Sequence, residues 1–137
     1  MQVDAGFSVK IYTLGKTERI KSRSVFDLLF EQGKNIRLGL INTTFLTRDF
    51  QEEAPIQAAF IVPKKKFKKA FERNKIRRRM KEAYRKNKAI LYDHAESSLT
   101  GYYIAFIYNG QQIANYKEIE EKIIVILQRL TQAQHKV

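Results

Sequence analysis

The sequence predicts a single α+β domain in which helices pack on a central mixed sheet. Its 137 residues suit one compact domain, and a hydrophobic content of 44% is sufficient for a buried core. Segments with the periodicity of amphipathic helices alternate with short runs rich in β-forming residues. No internal repeat or low-complexity tail interrupts this alternation. The element order is α-β-β-β-α-β-α, which is typical of helices layered on a sheet.

The N-terminal half contains one predicted helix and up to three strands. Residues 1–16 lack a clear periodicity, so we expect an extended or partly ordered arm, followed by a folded domain over residues 17–137. A helix over Ser22–Gln32 stops at Gly33, a typical C-terminal residue. The strand-forming segments are Lys34–Leu40, which could equally be a turn, Ile41–Arg48 and, after an acidic loop at Asp49–Pro55, Ile56–Val62.

The C-terminal half begins with a long basic helix, expected over Lys69–Ile90. A polar connection at Asp93–Gly101 then leads to the strand Tyr102–Tyr108, which is rich in β-forming residues. The last helix, Asn115–Thr131, begins at a residue whose side chain can cap it. Its apolar residues share one face, which we expect to pack on the sheet rather than on a partner helix. They are Ile119, Ile123, Ile126, Leu127 and Leu130.

Charge is the strongest global feature of the chain. Lys and Arg number 26 against 14 Asp and Glu, which gives a formal net charge of +12. Such an excess is typical of proteins that bind a polyanion, most often nucleic acid. Charge alone leaves two alternatives open, an anionic membrane surface and a basic protein without any such partner.

Other features limit the classes of function. The chain has no cysteine, which excludes disulfides, zinc–thiolate sites and a cysteine nucleophile. No apolar run approaches the roughly 20 residues that span a bilayer, so we expect no membrane segment. Met1–Lys10 lacks the apolar core of a secretion signal, and we expect a cytoplasmic protein.

More than half of the basic residues lie in one segment. Lys64–Lys88 holds 14 of the 26, against only two acids, Glu72 and Glu82. At about 100° per residue, an apolar stripe of the helix faces the core; it consists of Ile76, Met80, Ala83 and Tyr84. Beside it, one sector without an acid carries Arg73, Asn74, Arg77, Arg78, Lys81 and Arg85. A solvated helix would instead alternate basic residues with Glu at i,i+4 spacing, so this sector favours binding to phosphate and RNA.

The stretch Ala59–Arg85, AFIVPKKKFKKAFERNKIRRRMKEAYR, resembles the signature of the bacterial ribonuclease P protein subunit. In that family a strand leads to a Lys-Lys pair, an Arg-Asn-Arg core, an Ile-Lys-Arg sequence and a basic helix. The matching residues are Lys65, Lys66, Arg73, Asn74, Ile76, Arg77 and Arg78. Lys75 replaces the usual Arg, and Lys68 stands where Gly is common. A second, less specific likeness between Glu18 and Gly33 corresponds to the family's first helix.

The resemblance implies both a fold and a function. The fold would be shared with the second domain of a small-subunit ribosomal protein, with a left-handed βαβ crossover that departs from the usual handedness. The protein would bind a catalytic RNA, one protein per RNA, and the 5′ leader of precursor tRNA. It would promote hydrolytic removal of that leader, with magnesium held mainly by the RNA.

Two sets of site residues follow from the basic segment and the resemblance. RNA binding is expected of Lys65, Lys66, Arg73, Asn74, Lys75, Arg77, Arg78, Lys81 and Arg85. The leader-binding cleft is expected to include Phe26 and Phe30, at i,i+4 on the first helix, together with Phe45 on a strand. Without the resemblance, Phe26 and Phe30 would simply belong to a wide apolar helix face.

No protein-only active site is predicted. His94, in the polar connection, and His135, near the C-terminus, have no evident acid–base partner, and the acids are scattered, so no catalytic or metal-binding residue is assigned. A structural RNA-binding protein of the ribosomal or assembly type is therefore the alternative. A DNA-binding helix protein would need a helix and turn before the basic helix, where Pro63–Lys69 instead leaves a strand.

Overall fold

The computed structural model describes residues 14–133, which contain four α-helices and four strands. In chain order these are α1 (Arg23–Gln32), β1 (Lys34–Leu38), β2 (Ile41–Asp49), β3 (Ile56–Ile61), α2 (Ala70–Asn87), α3 (Ala89–Ser98), β4 (Thr100–Tyr108) and α4 (Tyr116–Ala133). A short 3-10 turn, Lys16–Glu18, precedes α1. Most of the predicted N-terminal arm, residues 1–13, lies outside the described residues.

The prediction of a polar connection at Asp93–Gly101 is wrong, because α3 occupies most of this segment. Leu91 and Ala95, at i,i+4, are both fully buried and hold this helix against the core. The helix ends at Leu99, which adopts the left-handed conformation with φ of 53°. Two buried residues make only a short apolar stripe, and a leucine in the left-handed conformation is an unusual C-terminal residue for a helix. The sequence therefore gave little indication of α3, and its polar composition was interpreted as a loop.

The four strands form the predicted mixed sheet, in the order β1-β2-β4-β3. β1 pairs with β2 and β2 with β4 in antiparallel fashion, whereas β3 and β4 are parallel. A hairpin cannot join parallel neighbours. The chain therefore leaves β3, passes through α2 and α3, and returns to the sheet as β4.

The predicted end of the first helix at Gly33 is confirmed. Glycine is required there by the close approach of neighbouring atoms and not by an unusual backbone conformation. Gly33 caps α1 with an ordinary φ of −69°, and its N–H donates to the Leu29 carbonyl. A Cβ at this position would lie 2.3 Å from the Leu29 oxygen and 2.7 Å from Thr44 Cγ2. Glycine thus allows α1 to approach the sheet closely as the chain enters β1.

The two faces of the sheet are covered by different helices. One face packs against α2, α3 and α4 and forms the main core, in which the ring centroids of Phe60 and Phe106 lie 5.4 Å apart. The apolar stripe predicted for the last helix is fully buried. The opposite face carries α1, through a small cluster centred on Leu29 and Ala105. Several side chains of that second face stay half-buried.

The segment before α1 lies along the outer edge of β3. Arg19 forms a parallel bridge with Ala58, and the Ile20 N–H donates to the Ala58 carbonyl at 3.1 Å. The Gln57 side-chain amide donates to the Thr17 carbonyl at 3.0 Å. These bonds cover part of a strand edge that would otherwise expose unpaired backbone groups.

A buried ion pair joins this segment to the junction of α2 and α3. Lys88, the residue between the two helices, is fully buried, and its ammonium donates to the Glu18 carboxylate. The Tyr92 hydroxyl donates to the same carboxylate at 2.6 Å. Burial lowers the pKa of Lys88, and the hydrogen bond to Glu18 opposes that shift. Lys88 is thus a structural cation, although it falls within the basic segment of the sequence.

Removal of Glu18 tests the importance of this ion pair. We expect Glu18→Ala to lower the free energy of unfolding by about 3 kcal/mol, because Lys88 would be left buried without its counter-charge. Denaturant unfolding measures the change. Glu31→Ala removes an exposed acid from α1 and serves as the control, with an expected effect below about 0.5 kcal/mol.

A second substitution distinguishes the ion pair from a general weakening of the segment. Adding Lys88→Met to Glu18→Ala removes the unpaired buried charge and should recover part of the lost stability. If Glu18→Ala changed stability no more than Glu31→Ala, the structural role of the pair would be refuted.

Candidate nucleic-acid interface

Helix α2 presents a basic surface because its apolar stripe is turned inward. The four residues of the predicted stripe are all fully buried: Ile76, Met80, Ala83 and Tyr84. The opposite side of the helix is exposed along a stripe with i, i+3, i+4 and i+7 spacing. This exposed stripe consists of Phe71, Asn74, Lys75 and Arg78, and Glu82 continues it by one turn.

The predicted basic sector is therefore divided into two rows. Asn74 and Arg78 belong to the exposed stripe, whereas Arg73, Arg77 and Lys81 are half-buried in an inner row beside it. The main chain fixes the arginines of this inner row. Arg73 Nη1 donates to the carbonyls of the two residues Phe67 and Lys68, at 2.8 Å each.

Arg77 connects the inner row to both the sheet and the exposed stripe. Its Nε donates to the Phe60 carbonyl on β3 at 3.3 Å, and its Nη1 donates to Asn74 Oδ1 at 2.8 Å. Within residues 14–133 the Asn74 Nδ2 amide makes no hydrogen bond, so its two N–H donors are available to a ligand. An amide and a guanidinium held in this way suit phosphate oxygens and 2′-hydroxyls.

A further arginine, Arg19, approaches the inner row from the segment before α1. Its bridge to Ala58 places it on the edge of β3, two residues from the Phe60 carbonyl that Arg77 contacts. Burial and the charges of Arg19 and Arg77 lower the pKa of Lys81, so both arginines lie close enough to repel the Lys81 ammonium. A bound polyanion would stabilise such a cluster. The sequence did not single out Arg19, because it lies far from the basic segment along the chain.

Some predicted RNA-binding residues have protein partners. The Lys66 ammonium donates to the carbonyl and side-chain oxygens of Asn109 at 2.9 and 3.0 Å, which links the loop before α2 to the end of β4. Arg85 forms a two-pronged ion pair with Glu82. The assignment of Arg85 to an acid-free sector is wrong, because a residue at i−3 lies within reach on a helix. Lys65 and Lys75 are exposed.

A second surface lies between α1 and the sheet. Ser22 caps α1 by accepting a hydrogen bond from the Val25 N–H. Phe26 and Phe30 are stacked, with ring centroids 6.4 Å apart and planes 12° apart, and Phe30 is 50% exposed. Phe26 packs against the small cluster that α1 forms with the sheet. The half-buried sheet residues of that cluster are Leu46, Ala59, Ile61 and Tyr103.

Phe45 does not line this cleft, so the prediction that it belongs to the leader-binding site is wrong. It is 5% exposed and belongs to the main core on the other face of the sheet. Successive side chains of a strand point to opposite faces, so the residue of β2 that faces α1 is its neighbour Leu46. The ring of Phe45 is therefore unable to stack on a base.

The sheet side of the cleft contains an aromatic residue that sequence reasoning missed. Tyr103 is half-buried in the cluster with Phe26, and the Arg48 guanidinium carbon lies 4.6 Å from its ring centroid. Arg48 is itself held by a hydrogen bond to the Ala54 carbonyl. The available signal was the alternation within Tyr102–Tyr108, which places every second side chain on the α1 face.

Comparison with known proteins identifies the family. A family model described as Ribonuclease P matches residues 14–131, which is most of the chain. The chain belongs to the ribonuclease P protein family. The ribonuclease P protein component of Porphyromonas gingivalis is 27% identical over 109 residues, which is 80% of each chain. That of Thermotoga maritima is 33% identical over 76 residues, 56% of this chain and 62% of the relative.

Solved structures of ribonuclease P proteins share the fold. The Staphylococcus aureus protein matches with a TM-score of 0.64 and 18% identity, covering 82% of this chain and 94% of that one. The Thermotoga maritima protein matches with a TM-score of 0.64 and 24% identity, covering 82% and 96%. The predicted single α+β domain is thus confirmed, and family membership assigns the chain to a ribonucleoprotein of tRNA processing.

Among residues 14–133 no group of three or more His, Cys, Asp or Glu side chains is arranged to hold a metal ion. His94 lies on α3, and His135 lies beyond the described part of the chain. None of the helices within residues 14–133 has the length and apolar composition that a membrane span requires.

Two adjacent arginines provide a matched test of the interface. Arg78 belongs to the exposed stripe, whereas Arg79 Nη1 donates to the Ala114 carbonyl before α4 at 2.6 Å. We expect Arg78→Ala to reduce the slope of log K against log salt by about one unit, because one phosphate contact is lost. Binding to a ribonuclease P RNA at several salt concentrations measures the slope. Arg79→Ala should leave the slope unchanged, and an unchanged slope for Arg78→Ala would argue against a phosphate contact there.

Proposed function

We propose that the chain binds the catalytic RNA of ribonuclease P through α2 and the 5′ leader of precursor tRNA through the cleft between α1 and the sheet. The observation that carries the proposal is that the molecule has two surfaces of different chemistry. Fixed donors and cations line one, and partly exposed rings line the other. The first suits the phosphates of a folded RNA, and the second suits unstacked bases of a single strand.

The α2 surface would bind RNA through both charge and orientation. Lys75 and Arg78 are exposed and can neutralise phosphates, which releases counterions and gives affinity. Asn74 and Arg77 are held against each other, so less side-chain freedom is lost when they meet an RNA oxygen. Arg19 extends this positive surface along the edge of β3.

The cleft would bind the leader mainly by stacking. The parallel rings of Phe26 and Phe30 offer a flat apolar surface, and Tyr103 lies on the sheet side. Every base has a π-face, so stacking gives affinity with little dependence on sequence. Such tolerance suits an enzyme that processes leaders of different sequence.

The cleavage itself would be performed by the RNA subunit, with magnesium held mainly by that RNA. Magnesium requires oxygen ligands such as carboxylates, and residues 14–133 offer no such cluster. The residues that the structure describes therefore do not form a magnesium site of their own. Its cations would instead reduce the repulsion between catalytic RNA and substrate. Hydrolysis of one phosphodiester bond would release the leader. The ribonucleoprotein would contain one protein per RNA and would act in the cytoplasm.

Reconstitution tests this function against the alternative of a structural RNA-binding protein. The purified protein and a ribonuclease P RNA should cleave precursor tRNA at the 5′ end of the mature sequence, at a magnesium concentration too low for the RNA alone. Binding to the RNA without any stimulation of cleavage would favour the structural alternative. A protein denatured before mixing is the control.

Two substitutions on α1 test the cleft. Phe26→Ala should weaken binding of the reconstituted ribonucleoprotein to precursor tRNA by about tenfold, because a stacking surface is lost, and should leave binding of mature tRNA unchanged. Leu28→Ala changes a residue on the other side of the same helix, 38% exposed, and is the matched control. Equal weakening for precursor and mature tRNA would exclude a leader-specific cleft.

A further inference from the structure

Phe71 is an exposed ring that neither the core nor the leader cleft uses. It lies in the first turn of α2 and is 67% exposed, more than Phe30 in the cleft at 50%. Its place on the exposed stripe directs it away from the buried stripe of the helix. Within residues 14–133, the Lys69 ammonium lies 5.9 Å from the centroid of the Phe71 ring.

The local fold does not account for an aromatic residue at this position. Phenylalanine forms helices less well than alanine or leucine, and a largely exposed ring gains little from burial. A single exposed apolar side chain is common on protein surfaces. Phe71 differs from such a side chain because of its neighbours.

The exposed polar residues around Phe71 are three lysines and one amide, and the adjacent acid, Glu72, is half-buried. One turn further along the exposed stripe lie Asn74 and Lys75, and the exposed residues Lys68 and Lys69 immediately precede the helix. Within the stripe no acid lies between Phe71 and Arg78. A ring bordered by ammonium groups offers a nucleotide a stacking surface for the base and cations for the phosphates on either side of it.

We propose that Phe71 stacks on an unpaired nucleobase of the RNA that α2 binds, while Lys69 and Lys75 contact the adjoining phosphates. This inference rests on the proposed binding of RNA by α2 and is separate from the leader cleft. The contact selects for RNA structure, because only an unpaired nucleotide offers a free base face. It accepts any of the four bases, since all of them stack.

A substitution series at position 71 separates stacking from general apolar contact. Phe71→Ala and Phe71→Leu should each weaken binding to a ribonuclease P RNA by about tenfold, whereas Phe71→Tyr should bind like the unsubstituted protein. Leu99→Ala is the control, since Leu99 is 69% exposed and lies after α3, outside the basic segment. Phe71→Leu binding as well as the unsubstituted protein would exclude stacking.

Fluorescence gives an independent measurement, because the chain contains no tryptophan. Phe71→Trp places a single indole at the proposed contact, and RNA should quench its emission as the base stacks on it. Leu99→Trp provides the same fluorophore at an equally exposed site and should stay unquenched. Equal emission of Trp at position 71 with and without bound RNA would overturn the proposal.

The outcomes distinguish this proposal from the function on which it rests. If the unsubstituted protein binds the RNA and stimulates cleavage while every position-71 variant behaves like it, only the stacking contact is refuted. If the unsubstituted protein binds no RNA, the proposed function fails as well. If Phe71→Ala instead converts a dimer to a monomer in sedimentation without RNA, the ring belongs to a contact between two copies of the chain, and the proposal is overturned.

Discussion

The parallel pairing of β3 with β4 is the constraint on which the arrangement of this protein depends. Because a hairpin cannot make this connection, the chain must cross over the sheet through α2 and α3. Helix α2 therefore packs on the core face, and its basic side points to solvent next to the end of β3. The hydrogen bond from Arg77 to the Phe60 carbonyl and the ion pair between Glu18 and Lys88 hold this helix in place.

The positive charges of the basic segment serve different purposes once the chain is folded. Lys88 is buried in an ion pair, and Arg79 and Lys66 bind main-chain carbonyls of other elements. Arg73 and Arg77 fix the start of α2 and its contact with the sheet while they retain further N–H donors. The exposed cations of the segment are Lys75 and Arg78 on the stripe, Lys86 near the end of α2, and four lysines before the helix: Lys64, Lys65, Lys68 and Lys69. The placement of these charges, more than their number, defines the interface.

Features that depend on local periodicity could be predicted from the sequence. These are the strands β2, β3 and β4, the buried stripes of α2 and α4, and the assignment of Phe26 and Phe30 to one part of α1. Features that depend on contacts distant in sequence could not. Helix α3 is stabilised by the core, the face of Phe45 depends on strand register, and Arg19 reaches the inner row only through its bridge to β3. The sequence therefore predicted the fold class. It could not predict which cations make contacts within the protein and which remain exposed.

Site-specific crosslinking tests most directly whether the two surfaces bind different RNAs. The chain has no cysteine, so Phe30→Cys and Lys75→Cys variants each carry a single attachment point for a photo-crosslinker, one in the cleft and one on α2. In the ribonucleoprotein bound to precursor tRNA, we expect position 30 to crosslink to the 5′ leader and position 75 to the catalytic RNA. Crosslinks from both positions to the same RNA, or from position 30 to the catalytic RNA alone, would contradict the account.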